Sequence, residues 1–318
     1  MNKQHGFTLV EIFISLAVGL ALFAGVISVF VGMKTTSQET TTYGELQENG
    51  RFALSVLSDD LLKQNFWGDY TGTLDLAMLN AVPTAPDDEC IGDGLNNGTF
   101  PAGVGHFRTL WGQTVSNSSI MGCIDDAKIA SDVIQFKRAI STPLTLSTAQ
   151  QHYIISNLSE ATIFTGTTIP AVLNSQLWEY QHHIYYIREE AQGNNTVPVL
   201  MQGRLTKKMT FDPIIDGIEM IRFMYGLDTD SPDDAGYGIV DTFVSADNMT
   251  ITQWDHGNNT RILAVRIYVL ARSILPDSRY TNSNTYNLGD LPVTFNDNYR
   301  RLLFNSTVTL YNAGVDSW

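Results

Sequence analysis

The sequence predicts an α+β fold in which one long N-terminal helix packs on a β-rich body of antiparallel sheet. Three observations predict it. An apolar run from Phe7 to Val31 holds a single charge, Glu11, and no proline. From Tyr43 to Gln64 apolar residues return at helical spacing, at Tyr43, Leu46, Ala53, Val56, Leu57 and Leu61. Beyond Trp67 the composition turns to Gly, Asn, Asp, Thr and Ser, broken by short apolar runs.

The apolar run would extend about 37 Å as a helix at about 1.5 Å per residue, enough to cross a bilayer. A carboxylate inside such a span is unfavourable by about 2.5–3.5 kcal/mol on insertion scales, so Glu11 calls for a partner. The leader Met1 to Gly6 is short and polar, and its Lys3 favours keeping that end in the cytoplasm. Ala17, Ala21 and Gly25 recur at i, i+4 and i+8, a small-residue stripe that allows close helix approach. An ordinary signal anchor with a tolerated Glu is the plainer reading. A signal removed after the run fits less well, since the run is too long and no A-x-A site follows.

Gly6-Phe7-Thr8-Leu9-Val10-Glu11 resembles the cleavage motif of type IV prepilins, shared by pilins and type II secretion pseudopilins. The resemblance implies cleavage between Gly6 and Phe7 by a prepilin peptidase and N-methylation of Phe7. Glu11 would then be the fifth residue, the place of the family's assembly glutamate. Pairing Glu11 with the new ammonium group of a neighbouring subunit would offset the desolvation of both charges and set the stagger between helices.

The expected organisation is a leader over 1–6, a membrane and assembly helix over 7–33, its amphipathic continuation over 34–66 and a globular domain over 67–318. Lys34 to Thr42 is polar and marks where the helix leaves lipid for water. In the second half Glu45, Glu48, Asp59 and Lys63 are expected to face water. Gly44 and Gly50 each weaken a helix by about 1 kcal/mol relative to Ala, which implies support from packing.

Leu46-Gln47-Glu48-Asn49-Gly50-Arg51-Phe52-Ala53-Leu54 is similar to a stretch of PilW-like minor pilins, and related wording occurs in J-type pseudopilins. Phe66-Trp67-Gly68, Ser131-Asp132-Val133, Tyr225 to Asp230, Val265 to Ser273 and Tyr299-Arg300-Arg301 match in kind and in order.

Asn80 to Gly122 is dense in turn formers and reads as a long irregular excursion. Cys90 and Cys123 flank most of it. An even cysteine count in an exported body suggests one disulfide, with two buried thiols as the other reading. Such a bridge contributes about 3–4 kcal/mol on a chain-entropy account. The 80–123 loop is the expected partner-binding surface, with an inert decorated loop as the alternative.

Strands are expected over Val133–Ala139, Ile184–Arg188, Val199–Leu205, Ile218–Tyr225 and Arg261–Ala271. The pair around Gly193-Asn194-Asn195 reads as a hairpin. In Arg261–Ala271, Leu263, Val265, Ile267 and Val269 alternate with Ala264, Arg266 and Tyr268, the pattern of a half-buried strand. Phe304, Ser306, Val308 and Leu310 share a face near the end.

The formal net charge is −14, or −15 without Lys3, which disfavours general nucleic-acid binding. The basic patch of Arg204, Lys207 and Lys208 is small. Asp228, Asp230, Asp233 and Asp234 crowd one turn. They suit either a calcium ion, which takes six to eight oxygens, or a solvated acidic turn. Pro232 and the lack of a closing glutamate depart from a regular calcium loop. The histidines, His5, His106, His152, His182, His183 and His256, show no metal-hydrolase spacing and are expected at the surface or packed. His182 and His183 should point to opposite sheet faces. No catalytic constellation is visible, so neither an enzyme nor a cofactor other than calcium is expected.

The resemblance implies a PilW-like minor pilin that initiates or caps a type IV pilus, near its tip. Its partners would be other minor pilins, the major pilin, the prepilin peptidase and an inner-membrane assembly platform. It would reside in the inner membrane of a Gram-negative bacterium, body in the periplasm, and then in the surface pilus. A type II secretion pseudopilin, or a tip adhesin acting through the 80–123 loop, are the alternatives.

Overall fold

Helix α1, Leu9–Lys63, runs unbroken through the apolar, polar and amphipathic stretches. The polar stretch stays helical because its hydroxyls bond inward. Thr35, Thr36, Thr40 and Thr41 each donate to the carbonyl four residues back, at 2.9–3.1 Å, instead of offering the backbone another conformation. The structure, a computed structural model, describes residues 6–72, 74–193 and 195–312. The leader expectation at Met1 to His5 and the turn residue Asn194 lie outside the described residues. The chain divides into two units, Met1–Glu45 and Leu46–Trp318, and α1 contributes to both.

From Leu9 to Met33, within the first unit, α1 is apolar on every side, and its large side chains are exposed. In the second, its remaining turns bury one face: Leu46, Gly50, Ala53, Leu57, Asp60 and Leu61. That is the i, i+4, i+7 spacing of an amphipathic helix. Asn49 extends the contact by donating to the Asp216 carbonyl at 3.1 Å. The Leu46 to Leu54 motif therefore has a physical reading, since Leu46, Asn49, Gly50 and Ala53 are its packing side.

The body carries thirteen named strands. In chain order they are β1 (Leu110–Thr114), β2 (Asp132–Ala139), β3 (His152–Ser156), β4 (Ala161–Thr165), β5 (Gln176–Gln192), β6 (Asn195–Leu205), β7 (Met209–Asp216), β8 (Ile218–Asp228) and β9 (Thr242–Ser245). A one-turn helix α2 (Ile251–Trp254), β10 (Arg261–Arg272), β11 (Thr285–Leu288), β12 (Leu291–Thr294) and β13 (Arg301–Thr309) follow. Every pairing between them is antiparallel. The α+β expectation holds.

The larger sheet is built on β5. One edge of β5 takes β2, while the other takes β3 along its first turns and β6 along its later ones. The smaller sheet runs β13-β10-β8-β9. Its β8 lies against β2, β5 and β6, and Val133, Leu200, Ile221 and Phe223 are wholly enclosed. Burying each such side chain stabilises the fold by about 1.5–3 kcal/mol.

Two strand expectations need correction. Leu263 does not join the buried face of Val265, Ile267 and Val269, because the β8–β10 register shifts between Ile262 and Ala264. The excursion over 80–122 is not wholly irregular, since Leu110–Thr114 forms β1 against β2. Phe66-Trp67-Gly68 closes the top of the larger sheet. Trp67 stacks on Tyr180 at 5.7 Å, Phe66 meets Trp178 edge-on, and Gly68 has φ +70° with the Trp178 indole pressed against its Cα.

Candidate functional site

The N-terminal turn of α1 is a capping box. Thr8 precedes the helix, and its hydroxyl accepts from the Glu11 amide at 3.3 Å. Glu11 returns the bond, its Oε2 accepting from the Thr8 amide at 2.8 Å and from the Thr8 hydroxyl at 2.9 Å. Both bonds fall on Oε2, so Oε1 is left to meet another donor. Phe7 and Gly6 stand exposed just before the helix. Ala17, Ala21 and Gly25 lie on one exposed stripe, and nothing stands within 4 Å of the position a Gly25 side chain would take. Ala21 and Gly25 border a shallow groove with Leu22, Val26, Val29, Phe30 and Met33.

In the body, buried charge holds the elements together. Asp60 on α1 meets Arg138 of β2 at 2.6 Å, and His183 and the Tyr185 hydroxyl of β5 at 2.7 and 2.6 Å. Burial alone would raise the Asp60 pKa. The His183 bond, Arg138 and Tyr185 outweigh it and hold Asp60 well below the usual carboxylate range. On β8, Arg222 is surrounded by Asp132, Asp247 and Asp290 at 3.3, 2.8 and 2.8 Å. Enclosure pushes Asp132 up to about 7, against Arg222 and with the help of the Asp247 charge. Glu219 takes Arg301 at 2.5 Å and Arg272 at 3.4 Å, which explains the charged ends of the Val265 to Ser273 and Tyr299 to Arg301 runs.

Cys90 and Cys123 are bridged, with Cα atoms 5.1 Å apart. Within the loop, Ile91, Leu95 and Val104 are exposed, beside a cleft of about 440 Å³ that Ile91 and Leu95 line with Leu76, Phe100 and Pro101.

The acidic turn is assembled differently from its sequence order. Asp228 and Asp230 gather with Asp241, their oxygens within 4.8 Å of one another, while Asp233 and Asp234 stand outside the group. Asp234 accepts from the Ser231 amide at 2.9 Å. Asp228 is enclosed, pairs with Arg261 and accepts from the Asp230 and Gly238 amides at 3.0 and 2.8 Å. Asp230 is held above the usual carboxylate range by desolvation and by the charges of Asp241, Asp234 and Asp228. The donor chemistry is that of a hard-cation site, with one carboxylate already neutralised by Arg261.

His182 and His183 part to opposite faces. His182 is enclosed against Thr99 and Gln135, and His183 faces Asp60. His106 and His256 stack at 4.0 Å, and burial keeps both neutral, His256 down at about 4. The basic patch is offset by acid, Arg204 pairing with Asp212 at 2.7 Å and Lys208 with Asp88 at 3.5 Å.

A family model described as type IV pilus-assembly protein W matches residues 184–312, from β5 to beyond β13. A second, described as a prokaryotic N-terminal methylation motif, matches residues 1–27. Searches of curated proteins and of solved structures gave no match.

Proposed function

Because this chain is a PilW-like type IV pilin, we propose that it acts as a minor pilin that initiates or caps the fibre, near its tip. One observation carries the reading: a helix apolar on every side, with Glu11 in its first turn, fused to a large sheet body. Such a surface is not stable in water. Lipid of the inner membrane would cover it first and neighbouring helices afterwards, the exchange a fibre is built by. The prepilin peptidase would cut at Gly6–Phe7, and the assembly platform would pass the chain to other minor pilins and the major pilin. A body of this size suits an end of the fibre, where one side stays free.

The exposed Ile91, Leu95 and Val104 support a second role for the 80–123 loop, contact with a surface or ligand. Gold labelling of an epitope-tagged chain tests the main reading. Label at fibre ends, with fewer pili in a deletion strain, is expected; label spaced along the shaft would overturn it.

A further inference from the structure

Lys137 stands in β2 with its side chain wholly enclosed. Its Nζ lies 3.2 Å from Oδ1 of Asn97 and 2.8 Å from the Arg108 carbonyl. Among the described residues no carboxylate comes within ion-pair distance of it, and the Phe107 ring covers it at 4.8 Å. Burial holds such an amine well below its ordinary pKa, with Glu89 pulling the other way and Arg108 adding to the fall. A desolvated neutral amine is a nucleophile.

Asn97 is enclosed too, and its side chain is held from three directions. Its Oδ1 accepts from Gln135 Nε2 as well as from Lys137. Gln135 is fixed in that orientation by His182, whose Nε2 lies 2.9 Å from the Gln135 Oε1. When Lys137 turns its lone pair to Cγ, the Gln135 donor on the carbonyl oxygen remains to polarise Cγ and stabilise the oxyanion that addition would create. The Asn97 Nδ2 is held by the Asp93 carbonyl at 2.8 Å. Glu89 accepts from the Thr99 amide at 2.5 Å, so its carboxylate lies along the backbone next to Asn97. Glu89, Asn97 and Gly98 together line the 440 Å³ cleft, which gives small molecules a way out.

We propose that Lys137 and Asn97 join in an intramolecular isopeptide bond. Lys137 Nζ, held 3.2 Å from the Asn97 Oδ1, attacks the Cγ that bears this oxygen. Because Glu89 lies beyond ion-pair distance of the amine, a proton passes from the amine to Glu89 through one bridging water, and from Glu89 to Nδ2. The Cγ–Nδ2 bond breaks and ammonia departs. One C–N bond forms and one breaks, with no change of oxidation state and no cofactor. The product ties the loop inside the Cys90–Cys123 ring to β2, 40 residues further on. Unlike the disulfide, it withstands reductant. The bond does not depend on the place of the chain in a fibre.

Mass spectrometry of the full chain, purified in detergent, reduced and denatured, tests this directly. The expected mass is one ammonia below that of the processed sequence, and a digest yields a branched peptide joining the Asn97 and Lys137 segments. Glu89→Gln keeps both reacting side chains and is expected to keep the ammonia and give linear peptides. Linear Asn97 and Lys137 peptides recovered in full from the wild-type chain would overturn the bond. Branched peptide at wild-type yield from Glu89→Gln would overturn the mechanism.

Discussion

The Phe304 ring rests on the bare backbone of Gly50, with Cε2 only 2.2 Å from the point where a Cβ would stand. This contact joins α1 to the edge strand β13 of the smaller sheet. A glycine inside a helix usually gives way to alanine with a gain of about 1 kcal/mol. Here the added methyl must displace an aromatic ring, and overpacking costs about 1–3 kcal/mol. Gly50→Ala is therefore expected to lower stability by up to about 2 kcal/mol, read as a lower Tm by circular dichroism in detergent. Adding Phe304→Leu should recover most of the loss.

Asp60 is the next place where α1 meets the sheet. Asp60→Ala leaves the Arg138 guanidinium enclosed without its partner, at a cost of about 3–5 kcal/mol. The folded pKa of Asp60 is depressed. Its contribution is thus complete above the unfolded value of about 3.9 and is lost as pH falls below it. Denaturant titrations should show wild-type stability dropping through that acid window, and Asp60→Asn should flatten the drop while starting lower.

Asp132 works in the opposite sense. Its folded pKa is raised to about 7, so between about 4 and 7 the folded chain holds a proton that the unfolded chain releases. This group makes the fold more stable as pH falls from 8 towards 4. In Asp132→Asn that rise should disappear, with stability at pH 8 equal to or above wild type.

These networks mark the limit of what the sequence disclosed. The helix, the hairpin of β5 and β6, and β10 were legible because hydrophobic period records which face is covered. β3 and β4 were not, because His152–Ser156 and most of Ala161–Thr165 are enclosed on both faces and carry no alternation. Asp60 has no spacing in the sequence that sets it apart from its water-facing neighbour Asp59. Only the fold brings it to Arg138 and His183, 78 and 123 residues away. Asp241 escaped for a similar reason, since it reaches Asp228 and Asp230 from beyond the turn at no regular spacing.

Calcium is proposed to settle among Asp228, Asp230 and Asp241. Extracellular modules with few charged ligands bind it at about 10⁻⁴–10⁻³ M. Calcium at about 1 mM should raise the Tm by a degree or two, by mass action of about 0.4–1.4 kcal/mol on the folded state, and a chelator should reverse the shift. Asp241→Asn should remove the response without unfolding the chain, since Asp241 is exposed and its carboxylate accepts from the Thr229 amide and hydroxyl, bonds that an asparagine oxygen can keep. An unchanged Tm in calcium and in chelator would dismiss the ion.

Glu11 performs two tasks that substitution can separate. It caps its own helix through Thr8, and its charge is proposed to meet the amino terminus of a neighbour. Glu11→Gln keeps a group able to complete the capping box, because glutamine serves in that position, but it removes the charge. Thr8→Val does the reverse, giving up the cap, at a cost of about 0.5–2 kcal/mol, while leaving the carboxylate. Glu11→Ala loses both. If charge drives assembly, sheared-pilus yield should collapse in Glu11→Gln and Glu11→Ala and survive in Thr8→Val. Mass spectrometry of the mature terminus would confirm that all three are processed. A Glu11→Gln strain with wild-type piliation would confine the residue to starting its own helix, and the stagger between subunits would then have to come from the Ala17, Ala21 and Gly25 stripe.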